Sequence, residues 1–400
     1  MPRPIDQSGT YRAYNPAWPQ IQPAPWRAGR GALLLYTLVI LYASLNPFAG
    51  WRIPQSFTLL SWPKYTTSFD IMLNIVAYIP VGVLWANFFV AAIRRRNHDL
   101  HGHYPEMQTI AWRAGLLAVM AAGALSGTME SLQTFLPSRV SSLADWLANS
   151  AGGMLGAIFI VAKPGRLVLE RVERWRYRHF ASGNVVDWGL LLLGLWLFAQ
   201  LNPAIPFFEA GNVVSSVAPN ALANVAIPMG AGESLHPYDP LFLLPQAVGI
   251  ALNVCGFALF ITLLLHPAKQ VWLNVWIILI MGFVAKVSMA SLMLKAPLLI
   301  AWLAPGTVIG LTAGLLLAIF FAKLGERWRT LSATLFVFAG GVMVKISSVY
   351  HAFDETLRLF DWPYGQLVNF ASLTRWLSEV WPLAAFIFLA TVFVRQRRSL

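Results

Sequence analysis

Charged residues are scarce in this chain: Asp, Glu, Lys and Arg make up 12% of its 400 residues, about half the share found in a typical soluble protein. Cysteine is nearly absent too, since Cys255 is the single example, and this excludes an intrachain disulfide. The sequence also lacks phosphate loops, dinucleotide fingerprints, zinc-ligand spacings and nucleophile elbows. These absences give no support for the common nucleotide-dependent, metal-dependent or serine-dependent enzymes. We therefore expect no cofactor and no metal.

Hydrophobic residues, in contrast, make up 57% of the chain. They recur in runs of about 20 residues, the length needed to cross a bilayer as a helix. Only helices and closed barrels satisfy the backbone in lipid, and the runs show none of the alternation of a barrel strand. The sequence therefore predicts an all-α polytopic membrane protein with about ten transmembrane helices, near 31–48, 70–93, 112–132, 143–162, 187–204, 241–265, 271–293, 298–322, 330–350 and 378–394.

The net charge of +12 predicts orientation rather than nucleic-acid binding. With the N-terminus inside, most of the 29 Lys and Arg residues fall in inner segments, as the positive-inside rule requires. Both termini are therefore expected to be cytoplasmic, and residues 1–30, which are polar and rich in Pro and Arg, are expected to form a disordered tail. The basic run Arg171 to Arg178 is expected to contact anionic lipid headgroups. Membrane lipids are the expected partners, and nucleic acid is not.

Polar residues cluster at the outer ends of three predicted spans. The second span opens with two of them, the third closes with two, and the fourth opens with two after a short link that carries an arginine. The N-terminus-inside topology places all of these segments on the outer side. The candidate ligand-binding residues are Asp70, Asn74, Glu130, Gln133, Arg139, Asp145 and Asn149.

A stripe of glycines on the fourth span predicts close helix packing. At about 100° per residue, Gly152, Gly153 and Gly156 share a face with Asp145 and Asn149. Small residues on such a face allow two membrane helices to approach closely. We expect the third and fourth spans to form a tight hairpin.

A structural role is the alternative for these polar residues. Asp70 and Asp145 suit the first turn of a helix, where the helix dipole favours an acid. Glu130 ends a helix instead, and Arg139 is its obvious ion-pair partner, or that of Asp145. Under this interpretation an Arg139–carboxylate network only holds the helices together.

The polar positions also carry a family resemblance. The segments D70-IML-N74-IVAYI-P80-V-G82 and E130-SL-Q133-TFLPS-R139-VSSLA-D145-WLA-N149-SA-G152-G153-MLG resemble the VanZ-like family, and so does L45-N46-P47-F48 at the end of the first span. The resemblance covers roughly residues 30–162. It implies a multi-pass module of the bacterial cytoplasmic (inner) membrane, from a family associated with resistance to glycopeptide antibiotics such as teicoplanin. It does not supply a catalytic assignment.

The second half of the chain echoes the first. Leu45-Asn46-Pro47 recurs as Leu201-Asn202-Pro203, and Leu73-Asn74-Ile75 recurs as Leu252-Asn253-Val254. A degenerate parallel duplication of a four-helix unit, without the acids, is one interpretation, and chance matching of apolar segments is the other. The expected divisions are the tail (1–30), the VanZ-like module (31–162), a basic cytoplasmic linker (163–186), a second four-helix unit (187–322), and two further helices with a basic C-terminal tail (323–400).

Three functions fit these features. The favoured one is a non-enzymatic envelope protein whose outward site binds a lipid headgroup or a lipid-linked cell-wall precursor, with Arg139 on a phosphate. An enzyme acting on such a lipid, with acidic general bases or metal-ligating acids, is the alternative. It is less favoured because no nucleophile or histidine accompanies the acids. A transporter is the third, supported only by Lys286 and Lys345 within predicted spans. The oligomeric state is left open.

Overall fold

The apolar runs fold as helices in the computed structural model. The structure describes residues 27–46, 48–53, 61–63, 66–101, 106–202, 205, 207–208, 240–266, 270–293, 303, 305–348 and 366–398. Most of the tail expected at 1–30 lies outside this set. Within it there are eleven helices: α1 Arg27–Leu45, α2 Ser68–His101, α3 Met107–Gln133, α4 Leu143–Val161, α5 Lys163–His179, α6 Asn184–Ala199, α7 Pro240–Leu264, α8 Val271–Met293, α9 Pro305–Phe321, α10 Glu326–Ser348 and α11 Gln366–Arg398.

Six of these helices are long and apolar enough to cross a membrane: α2, α3, α4, α7, α8 and α11. The apolar helices α1, α6 and α9 are shorter. Each of the ten predicted spans coincides with a helix, and α5 is an additional, basic helix inside the predicted linker. The described residues form no strand, only two isolated bridges. The all-helical membrane architecture is thus confirmed, whereas a count of ten spans and the inner placement of both termini stay predictions.

The first bundle consists of α1 to α4, and its closest contact joins α2 to α4. A Cβ on Gly152 would lie 2.2 Å from the Ile75 carbonyl oxygen, and one on Gly156 would lie 2.1 Å from that of Ile79. Only glycine allows such an approach of two backbones. The glycine stripe therefore packs largely against α2, and Gly153 alone faces α3, at Ala122. The expected α3–α4 hairpin is present, but its tightest face is turned toward a third helix.

The second bundle is built around α7, which packs against α9 and α10. The α7 side chains Phe257 and Phe260 are fully buried, and the Phe257 ring lies 4.1 Å from that of Trp196 on α6. Glycines again allow the approach of α9, because a Cβ on Gly314 would lie 2.5 Å from the Ala251 carbonyl oxygen. This bundle contains the larger apolar core of the molecule.

Helix α11 connects the two bundles. Its Trp381 donates from Nε1 to the Leu192 carbonyl on α6 over 2.7 Å. Its Trp376 stacks on Tyr42 of α1, with ring centroids 5.8 Å apart. The last helix therefore fixes α1 against the second bundle.

Two bulky residues have positive φ, Phe48 at 59° and Phe208 at 65°. This backbone conformation is uncommon for a bulky residue. Phe48 directly follows Leu45-Asn46-Pro47, whereas Phe208 lies five residues after Pro203, so the two positions are not equivalent in the proposed repeat. The duplication therefore stays a prediction.

Candidate functional site

The start of α4 collects polar groups from three helices. Ser142 is the N-cap of α4, and its Oγ accepts from the Asp145 backbone N–H at 3.3 Å. In a capping box, the side chain of the acid at the third helical position accepts a second hydrogen bond, from the backbone N–H of the N-cap residue. Here Glu130 of α3 takes that N–H instead, with 2.8 Å from Ser142 N to Glu130 Oε2. The carboxylate of Asp145 is therefore available to another helix.

That helix is α2. Asn74 donates from Nδ2 to Asp145 Oδ1 over 2.8 Å, so the first turns of α2 and α4 are joined by side chains. Asp70 lies one turn before Asn74 and forms a capping box with Thr67: Asp70 N–H donates to Thr67 Oγ1 at 3.1 Å, and Thr67 N–H donates to Asp70 Oδ2 at 3.4 Å. Asp70 is close enough to Asp145 for the two carboxylates to repel each other. Asp70 therefore caps the first turn of its own helix, as the structural interpretation proposed. Asp145 also lies in a first turn, but its carboxylate binds Asn74 of another helix.

A second polar layer lies deeper, between α3 and α4. Asn149 donates from Nδ2 to Ser126 Oγ over 3.0 Å. Ser126 is fully buried, and Glu130, on the same face of α3, is 3% exposed. Below this layer, Gly82 of α2 closes on Gly153 of α4, where an added Cβ would lie 2.0 Å from the Gly153 oxygen. The close contact of α2 with α4 at Gly82 and Gly153 therefore bounds the polar cluster on its inner side.

Two residues in this region bury an atom that has no hydrogen-bond partner among the described residues. The atoms are the hydroxyl of Ser141 and Oδ1 of Asn149, and both residues are 7% exposed. Tyr78 is 3% exposed, continues the α2 stripe one turn after Asn74, and directs its hydroxyl toward Ser126 and Glu130. Unpaired buried atoms such as those of Ser141 and Asn149 are rare in folded proteins and call for an explanation.

Arg139 pairs with neither Glu130 nor Asp145, so the ion pair of the structural interpretation is wrong. Its guanidinium donates from Nη2 to the carbonyls of Ala43 at 2.9 Å and Asn46 at 2.7 Å, and from Nε to Asn46 at 3.1 Å. The last carbonyls of a helix lack intrahelical donors, and the helix dipole is negative there, which attracts a cation. Burial lowers the pKa of the guanidinium below its usual value, and the group stays a cation. Arg139 therefore caps α1.

Gln133 also donates to a carbonyl near the end of α1. Its Nε2 donates to the Ser44 carbonyl on α1 over 2.9 Å. Of the seven candidate residues, the structure thus brings five together at the junction of α2, α3 and α4, and directs two toward the end of α1. The five are Asp70, Asn74, Glu130, Asp145 and Asn149.

Sequence reasoning did not single out Tyr78, Ser141 and Ser142 as functional. Two of them carried a usable signal: Tyr78 follows Asp70 and Asn74 at helical spacing, and Ser142 precedes Asp145 by the three residues of a capping box. Ser141 becomes relevant only through its burial. These three residues and Ser126 join the five candidates in the set that we call the polar cluster: Asp70, Asn74, Tyr78, Ser126, Glu130, Ser141, Ser142, Asp145 and Asn149.

Two further observations describe the surroundings of the polar cluster. A cavity of about 360 Å³ lies between α6 and α11, with Asp187, Trp188, Phe388 and Arg395 in its walls, and no cluster residue lines it. Within the described part of the chain, no group of three His, Cys, Asp or Glu side chains is arranged to hold a metal ion. The polar cluster is thus a set of hydrogen-bonded side chains at the ends of three helices.

Comparison with known proteins identifies the first bundle. Residues 21–164 match a family model described as VanZ/LLP1. The matched segment contains α1 to α4 and the whole polar cluster, and the chain from residue 165 onward lies outside the match. The family resemblance is thus confirmed for this segment, which is VanZ-like. Neither the curated proteins nor the solved structures gave a match to the chain.

Proposed function

Because residues 21–164 are VanZ-like, we propose that this is a bacterial cell-envelope membrane protein whose polar cluster binds an envelope lipid. The ligand is the headgroup of a membrane lipid or of a lipid-linked cell-wall component. Binding contributes to tolerance of glycopeptide and lipoglycopeptide antibiotics. In the orientation predicted from Lys and Arg, the cluster opens on the outer face of the inner membrane.

The unpaired buried atoms carry this proposal. A buried polar atom without a partner costs roughly 1–3 kcal/mol. Ser141 and Asn149 each leave one such atom unpaired, and Glu130 and Asp145 lie beside them. A bundle that needed only packing could have filled these positions with apolar side chains. A ligand that offers several hydrogen bonds at once offsets the cost.

The acids of the polar cluster select the ligand chemistry. The carboxyl groups of Asp70, Glu130 and Asp145 lie near one another, and the nearby cation Arg139 donates to the carbonyls of α1. A phosphate, which mainly accepts hydrogen bonds, would compete with these acceptors and would not find the guanidinium free. Hydroxyl and ammonium groups donate to carboxylates and fit better. We therefore assign the cluster to a sugar or amino headgroup rather than to the phosphate of a lipid.

The direct experiment is to identify molecules that co-purify with the protein in native lipid discs by mass spectrometry. Two variants test the polar cluster while keeping its shape. Asp145→Asn leaves an oxygen for Asn74, and Glu130→Gln leaves an oxygen for Ser142 N–H, so each removes charge without removing the observed hydrogen bond. Glu106→Gln is the matched control, because Glu106 is an exposed acid at the far end of α3.

We expect one defined lipid with a hydroxylated or amino headgroup to be enriched with the wild type and with Glu106→Gln. Asp145→Asn and Glu130→Gln should lose the enrichment and lower the antibiotic tolerance of the host. Identical lipid profiles for all four proteins would overturn the proposal and leave water as the partner of the unpaired atoms. Conversion of the enriched lipid into a product during incubation would instead favour the enzymatic alternative.

A further inference from the structure

Helix α5 has a composition unlike any other helix of the molecule that the structure describes. Its sequence, KPGRLVLERVERWRYRH, combines five arginines and one lysine with two glutamates and with apolar Leu, Val and Trp residues. Four of its large apolar side chains are well exposed, at 41–56%: Leu167, Val168, Val172 and Trp175. An exposed apolar face on a strongly basic helix is typical of a helix that lies in a membrane interface.

The N-terminal end of α5 is tied to the bundle of α3 and α4. Arg166 donates to the last carbonyls of α4, including that of Ile160 at 3.3 Å, and to Gln108 Oε1 near the start of α3 at 2.9 Å. Gly165 lies against the Phe159 backbone, where a Cβ would be 1.8 Å from the carbonyl oxygen. The chain thus bends sharply between α4 and α5.

The C-terminal end of α5 is tied to the second bundle. His266 donates its backbone N–H to the His179 carbonyl at 3.0 Å, and Ala181 donates to the Leu264 carbonyl at 2.9 Å. Arg176 of α5 pairs with Asp187 in the first turn of α6. These contacts join α5 to the end of α7 and the start of α6.

These attachments fix how α5 lies. The end of α4 and the start of α3 belong to one end of the first bundle, opposite the polar cluster, while the end of α7 and the start of α6 form the corresponding end of the second bundle. A 17-residue helix is about 25 Å long, at roughly 1.5 Å per residue. Because both ends of α5 are held at span termini on the same side, α5 runs across that side of the molecule, along the membrane surface.

Six of the exposed residues of α5 form two neighbouring stripes, and a seventh, Leu167, lies within the second one. At roughly 100° per residue, Val168, Val172 and Trp175 fall within about 60° of one another, and Arg171, Arg174 and Arg178 form a second arc of about the same width. All six are exposed. The buried side of the helix, which contains Gly165 and Leu169, faces the bundle.

We propose that α5 is an interfacial anchor that binds anionic lipid headgroups of the inner leaflet. The arginine arc contacts the headgroups, and Val168, Val172 and Trp175 enter the boundary of the acyl chains. Charge complementarity identifies the occupant, since acidic phospholipids attract such a basic surface. The preceding helix α4 also exposes apolar side chains near its C-terminal end, at Ile158 and Phe159.

The test uses a fluorophore at single cysteines in the full chain, with the one native thiol removed by Cys255→Ala. An environment-sensitive probe is attached after Val172→Cys in the apolar stripe, or after Arg174→Cys on nearly the opposite face. The protein is placed in vesicles of phosphatidylcholine alone, or of phosphatidylcholine with phosphatidylglycerol. Quenching by lipids with a spin label in the acyl chain reports how deep each probe lies.

We expect the Val172→Cys probe to be quenched in vesicles with phosphatidylglycerol much more than in neutral vesicles, and the Arg174→Cys probe to be quenched weakly in both. Changing Arg171, Arg174 and Arg178 to Gln should lower the bound-to-free ratio of α5 by about fivefold per arginine. Equal quenching at the two positions, or quenching independent of phosphatidylglycerol, contradicts the proposal. The proposal is also overturned if, in neutral vesicles, protection of the Val172→Cys probe from the lipid quencher increases with protein concentration, because this indicates that the apolar stripe binds another protein.

Discussion

The Asn74 side chain of α2 donates to the Asp145 carboxylate at the start of α4, 71 residues later in the chain, over 2.8 Å. The bond exists because Glu130 of α3 takes the Ser142 N–H that Asp145 would otherwise accept. Three helices therefore share one cap. This exchange of partners turns an ordinary helix start into a cluster of acids and amides.

The Asn74–Asp145 bond should couple α2 to α4 energetically. In a double-mutant cycle with Asn74→Ala and Asp145→Ala, we expect a coupling of about 0.6–1.7 kcal/mol, the range of hydrogen bonds between membrane helices. Reversible unfolding in detergent measures it. The pair Asn74→Ala with Glu106→Ala is the control and should be additive, because Glu106 lies at the other end of the bundle. Additivity of the first pair would show that the bond contributes nothing to helix association.

The glycine contact should tolerate no added methyl group. Gly156→Ala places a Cβ about 2.1 Å from the Ile79 oxygen, so α4 must move away from α2. We expect a loss of about 1–3 kcal/mol, typical of overpacking, measured by thermal unfolding in detergent. The control is Gly194→Ala on α6, where a Cβ meets nothing within 4 Å. It should be neutral or stabilise slightly. Equal effects of the two substitutions would refute the close approach.

Arg139 should act on stability and leave ligand binding intact. Arg139→Gln removes most of the donors that cap the Ala43 and Asn46 carbonyls, so we expect a loss of about 1–3 kcal/mol and faster amide exchange near the end of α1. Lipid co-purification per folded molecule should match the wild type. Arg52→Gln is the control, because Arg52 is exposed at the same end of the molecule. Loss of the lipid without loss of stability would make Arg139 a ligand residue after all.

Lys286 should likewise be structural. It is 1% exposed and donates to the carbonyls of Asn202 and Ile205, both at 2.8 Å. We expect Lys286→Met to cost roughly 1–3 kcal/mol, because it deprives two carbonyls of a donor, and to leave the co-purified lipid unchanged. Lys323→Met, at an exposed position, is the control for unfolding measurements. An unchanged stability with altered lipid or solute passage would support the transporter alternative. The side chain of Lys345 lies outside the described residues.

The sequence predicts the helices of this protein well because bilayer thickness imposes their length. Apolar runs mark the helices whatever their neighbours are. The same logic identified Gly152 and Gly156 as contact residues, but could not say that α2 rather than α3 is their main partner. A glycine stripe shows that something approaches closely and does not show what.

The sequence predicted which polar residues lie at the same end of the bundle better than it predicted which of them bond to each other. Asn74, Glu130, Asp145 and Asn149 share one end of the bundle once the topology is known. Charge alone paired Arg139 with an acid, whereas in the structure it caps α1. The sequence does not show that the last carbonyls of α1 lie within reach of Arg139. In the structure these carbonyls, rather than an acid, accept the hydrogen bonds of the guanidinium.

The central claim is that a polar headgroup lies at the junction of α2, α3 and α4, and photocrosslinking in native membranes tests it most directly. A photoreactive residue at Ile71, on the Asn74 side of α2, probes the mouth of the polar cluster. The same residue at Val76, on the opposite side and 55% exposed, samples bulk lipid. We predict that position 71 captures one lipid with a hydroxylated or amino headgroup, and that Asp145→Asn abolishes the adduct. Adducts at position 71 that match those at position 76, unchanged by Asp145→Asn, would contradict the account.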